Sequence, residues 1–486
     1  MPETVFAKLG LIGLAGTRFG RHWGRKHGGS MAEYLADLED EVLDQVRIDA
    51  VLQAVEAADS GAIDALLEPL HAADIADLLE QISGTDRRAL LRLWSHEIDG
   101  EILSEISDAI REEVISSLPR EVLLEAVRDL ETDDLVDILE DLERPQQDVI
   151  LGALTDADRM AVQQAMAYPE YSAGRLMQRE TVVAPDHWTV GEAIDFLRKA
   201  DHLPDQFYHV ILVDPRMQPV GYATLGRILS ADREVRLGDI AETSFRTIEA
   251  ADPEADVAYI FNQYHLISCP VVDADGRLVG VITIDDAMNV LDEEHGEDML
   301  RLAGVGDEAS VSDGAFATMK QRLPWLVVNL FTASLSALVI SRFEATITQI
   351  VILAALMPIV ASTGGIAGTQ SLAVAVRALA TRDLTQANAQ RVVLRELGAG
   401  VLNGLSLALI LGLAAWGILG DWKLGLVLGM AMIVNQIVAA LGGVLVPLTL
   451  ERLKLDPALA SGTFVTTLTD VMGFFAFLGL ATVLLI

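Results

Sequence analysis

Five long stretches nearly empty of ionisable residues crowd the last third of this 486-residue chain, and they limit its fold more than any other feature. Residues 323 to 341, 345 to 376, 397 to 420 and 424 to 450 carry no charge, and 457 to 486 holds only Asp470. Apolar runs of about 20 residues or more suit bilayer-crossing helices. Backbone in lipid must satisfy its own hydrogen bonds, which excludes irregular chain there. The expectation is a membrane domain of five helical spans over 323–486. Arg377, Arg382, Arg391 and Arg395 lie between spans two and three, and Arg452 and Lys454 between four and five, whereas the opposite loops offer Arg342 and Lys423. The excess of positive charge on cytosolic loops then predicts a multi-pass protein of the inner or plasma membrane, its N-terminal domains in the cytosol and its C-terminus outside.

Charge divides the chain in the same way. The whole sequence has 71 Asp/Glu against 35 Lys/Arg, yet residues 319 to 486 hold seven against ten, so 1 to 318 carry a net charge of −39. So acidic a soluble half repels nucleic acid and anionic lipid and attracts divalent cations, and no nucleic-acid partner is expected. Cys269 is the sole cysteine, which excludes an internal disulfide and the common thiolate zinc sites. His96-Glu97 lacks the second histidine of a hydrolytic zinc helix. With no base and nucleophile pair apparent, no enzyme is expected. At the start, Lys8, Arg18, Arg21, Arg25 and Lys26 lie mostly after a short apolar GLIGLAG, the wrong order for a signal peptide. A basic tail over 1–44 is the better reading.

From 45 to 170 apolar residues recur at helical spacing, as in EIDGEILSEISDAIREEVISSL. HAADIADLLEQI at 71 to 82 returns as ETDDLVDILEDL at 131 to 142, which predicts stacked helical hairpins forming an all-α superhelical domain. It could serve as an acidic spacer or as an ion-sensing surface. Beyond 170 a second repeat begins: YHVILVDPRMQPVGYATLGRIL, then LISCPVVDADGRLVGVITIDDAMNV, with Asp214 and Asp273 59 residues apart. Each copy reads strand, polar turn, strand, helix. The region 171–298 thus resembles a tandem pair of α/β CBS domains. The resemblance implies adenosine nucleotide binding in some members, ATP among them. Thr283 and Asp286 occupy the places that there hold ribose and phosphate, whereas the first copy has Thr224 with Arg227 in place of the acid. A scaffold without ligand is the alternative.

The second copy runs into IDDAMNVLDEEHGEDM, where Asp285, Asp286, Asp292, Glu293, Glu294, Glu297 and Asp298 fall close together. The alternating ligands and glycine of an EF-hand are missing. Carboxylates spread along a helix suit weak, hydrated Mg²⁺ that screens repulsion between domains, or are an ordinary solvated helix end. A connecting helix is expected over 299–322.

Two membrane segments carry chemistry. Span two contains MPIVASTGGIAGTQS, in which Pro358, Gly364, Gly365 and Gly368 either break the helix beside protein or water, or let neighbouring helices pack closely. In the last span Thr463, Thr466, Thr467 and Asp470 share one helix face. A carboxylate with hydroxyls beneath it is a hard-oxygen surface suited to hydrated Mg²⁺. A buried ion pair with Arg377 or Arg395 would account for it otherwise.

The order helical domain, CBS pair, linking helix and five spans, together with HAADIADLLE, YPEYSAGRLM, MPIVASTGGIAGTQS, VRALATRDL and LDPALASGTFVTTLTDVMGFF, resembles the MgtE family of magnesium channels. The resemblance covers nearly everything after residue 45. It implies a homodimer whose Asp470 lines an axial pore and selects hydrated Mg²⁺, and an acidic cytosolic surface that binds Mg²⁺ to hold a plug helix shut. Ile366 stands where the family usually has Asn, and Ala361-Ser362 is unusual before Thr-Gly-Gly, which keeps Co²⁺ or Mn²⁺ open as the ion. A membrane-anchored sensor that conducts nothing is the rival of another class.

Overall fold

The computed structural model describes residues 43–486 except 129, 141, 201, 202, 205, 206, 307, 308, 310–313, 459 and 460. The tail expected at the N-terminus falls, up to residue 42, outside the described residues. Two compact units divide the chain between Met288 and Asn289.

The first unit opens with short helices from Gln45–Glu56 to Asp156–Ala165. Asp44, Asp59, Ser83, Asp99 and Thr155 each start one by accepting a backbone N–H from the first turn. The 60-residue repeat is real at the level of single groups. Leu78 and Leu79 are fully buried, as are their counterparts Ile138 and Leu139. Helix ends leave carbonyls without partners. Buried Arg87 donates to the Leu79 and Ile82 carbonyls at 2.7 and 3.2 Å. Sixty positions later Gln147 donates to the Leu139 and Leu142 carbonyls at 2.8 and 3.0 Å.

Two three-stranded sheets follow, β1 (Val183–Pro185), β2 (His209–Val213) and β3 (Pro219–Thr224), then β4 (Ile248–Glu249), β5 (Ser268–Val272) and β6 (Leu278–Thr283). In each the first pair is parallel and the second antiparallel, with an irregularity at the same place, Leu212/Val213 and Val271/Val272. The turns match too: Asp214 Oδ1 accepts the N–H of Arg216 and Gln218, and Asp273 Oδ1 those of Asp275 and Arg277. Equivalent residues of the two copies meet, His209 Nδ1 lying 2.6 Å from Ser268 Oγ. Such a contact between matching positions marks a pseudo-twofold axis.

Helix Ile284–Leu302 follows β6, and the helix of the first span opens at Ala315, so 299–322 holds the end of one helix and the start of another. The second unit contains the spans: Ala315–Arg342, Ile352–Ala380, Ala389–Leu419, Trp422–Arg452 and Ser461–Leu485. The fourth is the most enclosed, with Asn435 and Gln436 buried near its middle. The second span departs from one expectation. It is one continuous helix through Pro358, Gly364 and Gly365. Its glycines serve contact rather than a break: a methyl at Gly368 would lie 2.6 Å from Val465, and one at Gly364 would overlap the Asn435 side chain.

Candidate ion path and acidic belt

Asp470 sits partly buried ten residues into the last span. Thr463, Thr466 and Thr467 precede it by seven, four and three positions on the same face and are also partly buried. The second span flanks this face, for a methyl on Gly365 would stand 3.8 Å from Thr466 Cγ2, and one on Gly368 3.5 Å from Thr469 Cγ2. Thr466 donates its hydroxyl to the Gly462 and Thr463 carbonyls at 2.9 and 3.1 Å, and Thr467 to Thr463 at 2.7 Å. With the proton turned to the backbone, each hydroxyl oxygen keeps lone pairs that can accept from the waters of a hydrated cation. Among the described residues no base pairs with Asp470, and Arg395 pairs instead with the neighbouring Glu396 at 3.3 Å. Ile366 is exposed on the second span, 58% accessible, away from the glycines that pack inward.

The seven acidic residues of helix Ile284–Leu302 do not form one cage. Among the described residues no group of three or more His, Cys, Asp or Glu converges as a metal site. Asp285 and Asp286 belong to the first unit and face the helical domain's second repeat, where Asp133 is buried. Burial first, then the nearby Asp286, raises the Asp133 carboxyl well above the usual range. Burial also raises Asp286, against the lowering hydrogen bond that it accepts from Thr283 at 2.7 Å. Asp134 is pushed to about 7 by burial and then by Glu131, Asp137, Asp285 and Glu105. The two domains are nonetheless joined here: Thr132 donates its hydroxyl to Glu180 at 2.6 Å, Gln178 donates to Glu131, and Arg175 pairs with Glu140.

Further along the helix, Glu294, Glu297 and Asp298 belong to the second unit. Arg301 bridges Glu297 at 2.8 Å and Asp456, in the loop before the last span, at 2.7 Å. Burial raises Glu294, helped by Glu297 and Asp298, and raises Asp298, helped by Asp456. Asp292 and Glu293 are exposed.

Sequence reasoning passed over Asp133 and Asp134. The signal was present in the repeat, which has Ala73 where the second copy has Asp133. It also passed over Asn435-Gln436, the amide pair inside the otherwise apolar middle of span four.

Three family descriptions match parts of the chain: a divalent cation transporter named MgtE over residues 357–480, the MgtE intracellular N domain over 70–171, and CBS domains over 173–234 and 237–293. The magnesium transporter MgtE of Enterococcus faecalis is 35% identical over 325 residues, 66% of this chain and 71% of that protein. The magnesium transporter MgtE of Thermus thermophilus is 34% identical over 439 residues, 89% of this chain and 97% of that protein. A solved structure, the cytosolic domain of the Mg²⁺ channel MgtE in complex with ATP, is 29% identical, covers 50% of this chain and 99% of its own, and has a TM-score of 0.47.

Proposed function

The chain belongs to the MgtE family of divalent cation transporters, and from that premise we propose that it is a homodimeric Mg²⁺ channel of the cell membrane, gated from the cytosol by Mg²⁺ itself. The observation that carries the reading is the position of Asp470. A carboxylate at bilayer depth costs about 3 kcal/mol on insertion scales, and among the described residues this one has no basic partner to offset that cost. A hydrated Mg²⁺ supplies the missing charge, with Thr463, Thr466 and Thr467 accepting hydrogen bonds from its waters. Gly364 and Gly365 bring the second span close enough to complete the wall. No covalent chemistry is involved.

Gating follows from the acidic belt. Asp285 and Asp286 near Asp133 and Asp134 repel one another when ionised, and Mg²⁺ shared between them draws the two domains together. Glu294, Glu297 and Asp298, with Asp292 and Glu293 beside them, bind Mg²⁺ in the same hydrated manner near Asp456. All these donors are oxygens, which fits Mg²⁺ better than a softer metal. Thr283 and Asp286, adjacent at the start of the helix, offer a hydroxyl and a carboxylate to the ribose and phosphate of ATP, a ligand that would favour the closed state.

Purified protein in liposomes loaded with a Mg²⁺-sensitive dye tests the transport reading. Dye response to external Mg²⁺, suppressed only weakly by equal Co²⁺ or Mn²⁺, is the expected result. No flux leaves a non-conducting sensor, and stronger Co²⁺ or Mn²⁺ flux assigns a different ion.

A further inference from the structure

Asn435 is wholly buried in the fourth span, and its Oδ1 has no hydrogen-bond partner. Its Nδ2 donates to the Val360 carbonyl of the second span at 2.8 Å. The next residue, Gln436, donates to the Thr363 carbonyl of the same span at 3.3 Å. Two amides of one helix thus grip two carbonyls of its neighbour, just before Gly364 and Gly365. The Asn435 side chain also fills a slot left open by glycines from two helices. A methyl on Gly364 of span two would overlap it, and one on Gly473 of span five would lie 2.9 Å from Nδ2 and 3.1 Å from Oδ1. Gly473 stands three residues beyond Asp470, close to the same face of that helix.

Packing alone does not call for an amide here. A leucine has nearly the same size and removes the unpaired Oδ1, and the Val360 carbonyl it would leave lies inside a continuous helix, where a backbone N–H already serves it, so little stability is lost. The amide nevertheless occupies a place where span four touches both the second span and the Asp470 helix. We propose that Asn435 is a positioning residue: it pins spans two and five against span four and so sets how far Asp470 and Thr466 of the last span stand from Gly365 of the second. Its role rests on the reading of Asp470 as the ion-selecting group. A site that recognises a hydrated ion tolerates little displacement, because supporting residues must hold it to within about 0.5 Å.

The test measures Mg²⁺ and Ca²⁺ flux and thermal unfolding in detergent for Asn435→Leu beside the parent and Asp470→Ala. Asn435→Leu should unfold no earlier than the parent, yet lose about tenfold or more of its Mg²⁺ flux, as residues that orient metal-binding groups do, and narrow its preference over Ca²⁺. Gly473→Ala keeps the question open to decision should Asn435→Leu fail to fold. Its methyl meets Asn435, so the pair Asn435→Ala and Gly473→Ala should be non-additive, the double variant no worse than the poorer single one. Parental flux and selectivity in Asn435→Leu, losses that track the loss of folded protein, or additive losses in the pair would overturn the proposal, while loss of flux in Asp470→Ala leaves the pore reading standing. Parental flux in Asp470→Ala removes that reading, and the role of Asn435 falls with it.

Discussion

At Asp134 a carboxyl that titrates near pH 7 lies among four other acids, and its shift has a definite sign. The folded value is raised above the ordinary 3.8, so the buried carboxyl binds its proton more tightly than one in water does. Its stabilising effect is complete below 3.8 and fades as pH rises to about 7. In Mg²⁺-free buffer, protease should therefore cut the N-terminal domains more slowly at pH 5.5 than at pH 8, with Mg²⁺ abolishing the difference. Asp134→Asn should shrink the difference, the remainder falling to Asp133 and Asp286, and an unchanged profile would assign the pH response elsewhere. Arg87 gives a second residue-scale outcome. It is buried, holds two helix-end carbonyls and pairs with Glu113 at 2.7 Å. Arg87→Leu should destabilise the helical domain by about 3 kcal/mol, seen as faster hydrogen exchange across 72–94, because the acceptors stay behind. Neither role was legible from single letters. The chain shows an arginine on a helix and an acid in a repeat; which of them turns inward depends on neighbours 26 or 153 residues away.

Elements were easier to read where one period dominated. The five spans, the 59-residue strand repeat and the 60-residue helical repeat all follow from apolar spacing, and the backbone repeats its turns and caps at the same offsets. The second span was harder because Pro358 and clustered glycines fit a broken helix and a closely packed one equally well. Only the partners, Asn435, Val465 and Thr466, decide for packing. Helix Ile284–Leu302 likewise gave its acids but not their division into two groups, which face different partners. That division carries a prediction. Neutralising Asp285 and Asp286 should remove Mg²⁺-dependent protection of the contact with the helical domain. Neutralising Glu294, Glu297 and Asp298 should leave that protection in place and alter the Mg²⁺ concentration at which flux stops. If both sets act alike on both readouts, the helix works as one undivided site.

For the whole molecule, the proposed gate is an electrostatic equilibrium in which the acidic residues 1 to 318, of net charge −39, move apart when Mg²⁺ is scarce. ATP that prefers the closed form should lower the Mg²⁺ needed for closure, and Mg²⁺ must then tighten ATP binding by the same factor, about five- to 150-fold for typical coupled sites. Calorimetry with and without Mg²⁺, corrected for the Mg·ATP complex, measures that factor; equal affinities would leave the CBS pair a scaffold. The central claim remains that Asp470 selects the ion. Its most direct measurement is Mg²⁺ uptake by liposomes holding equal amounts of folded parent and Asp470→Ala protein. The expected result is selective uptake in the parent and none in Asp470→Ala, with both eluting as the same folded species in detergent. Undiminished Mg²⁺ uptake by Asp470→Ala would contradict the account.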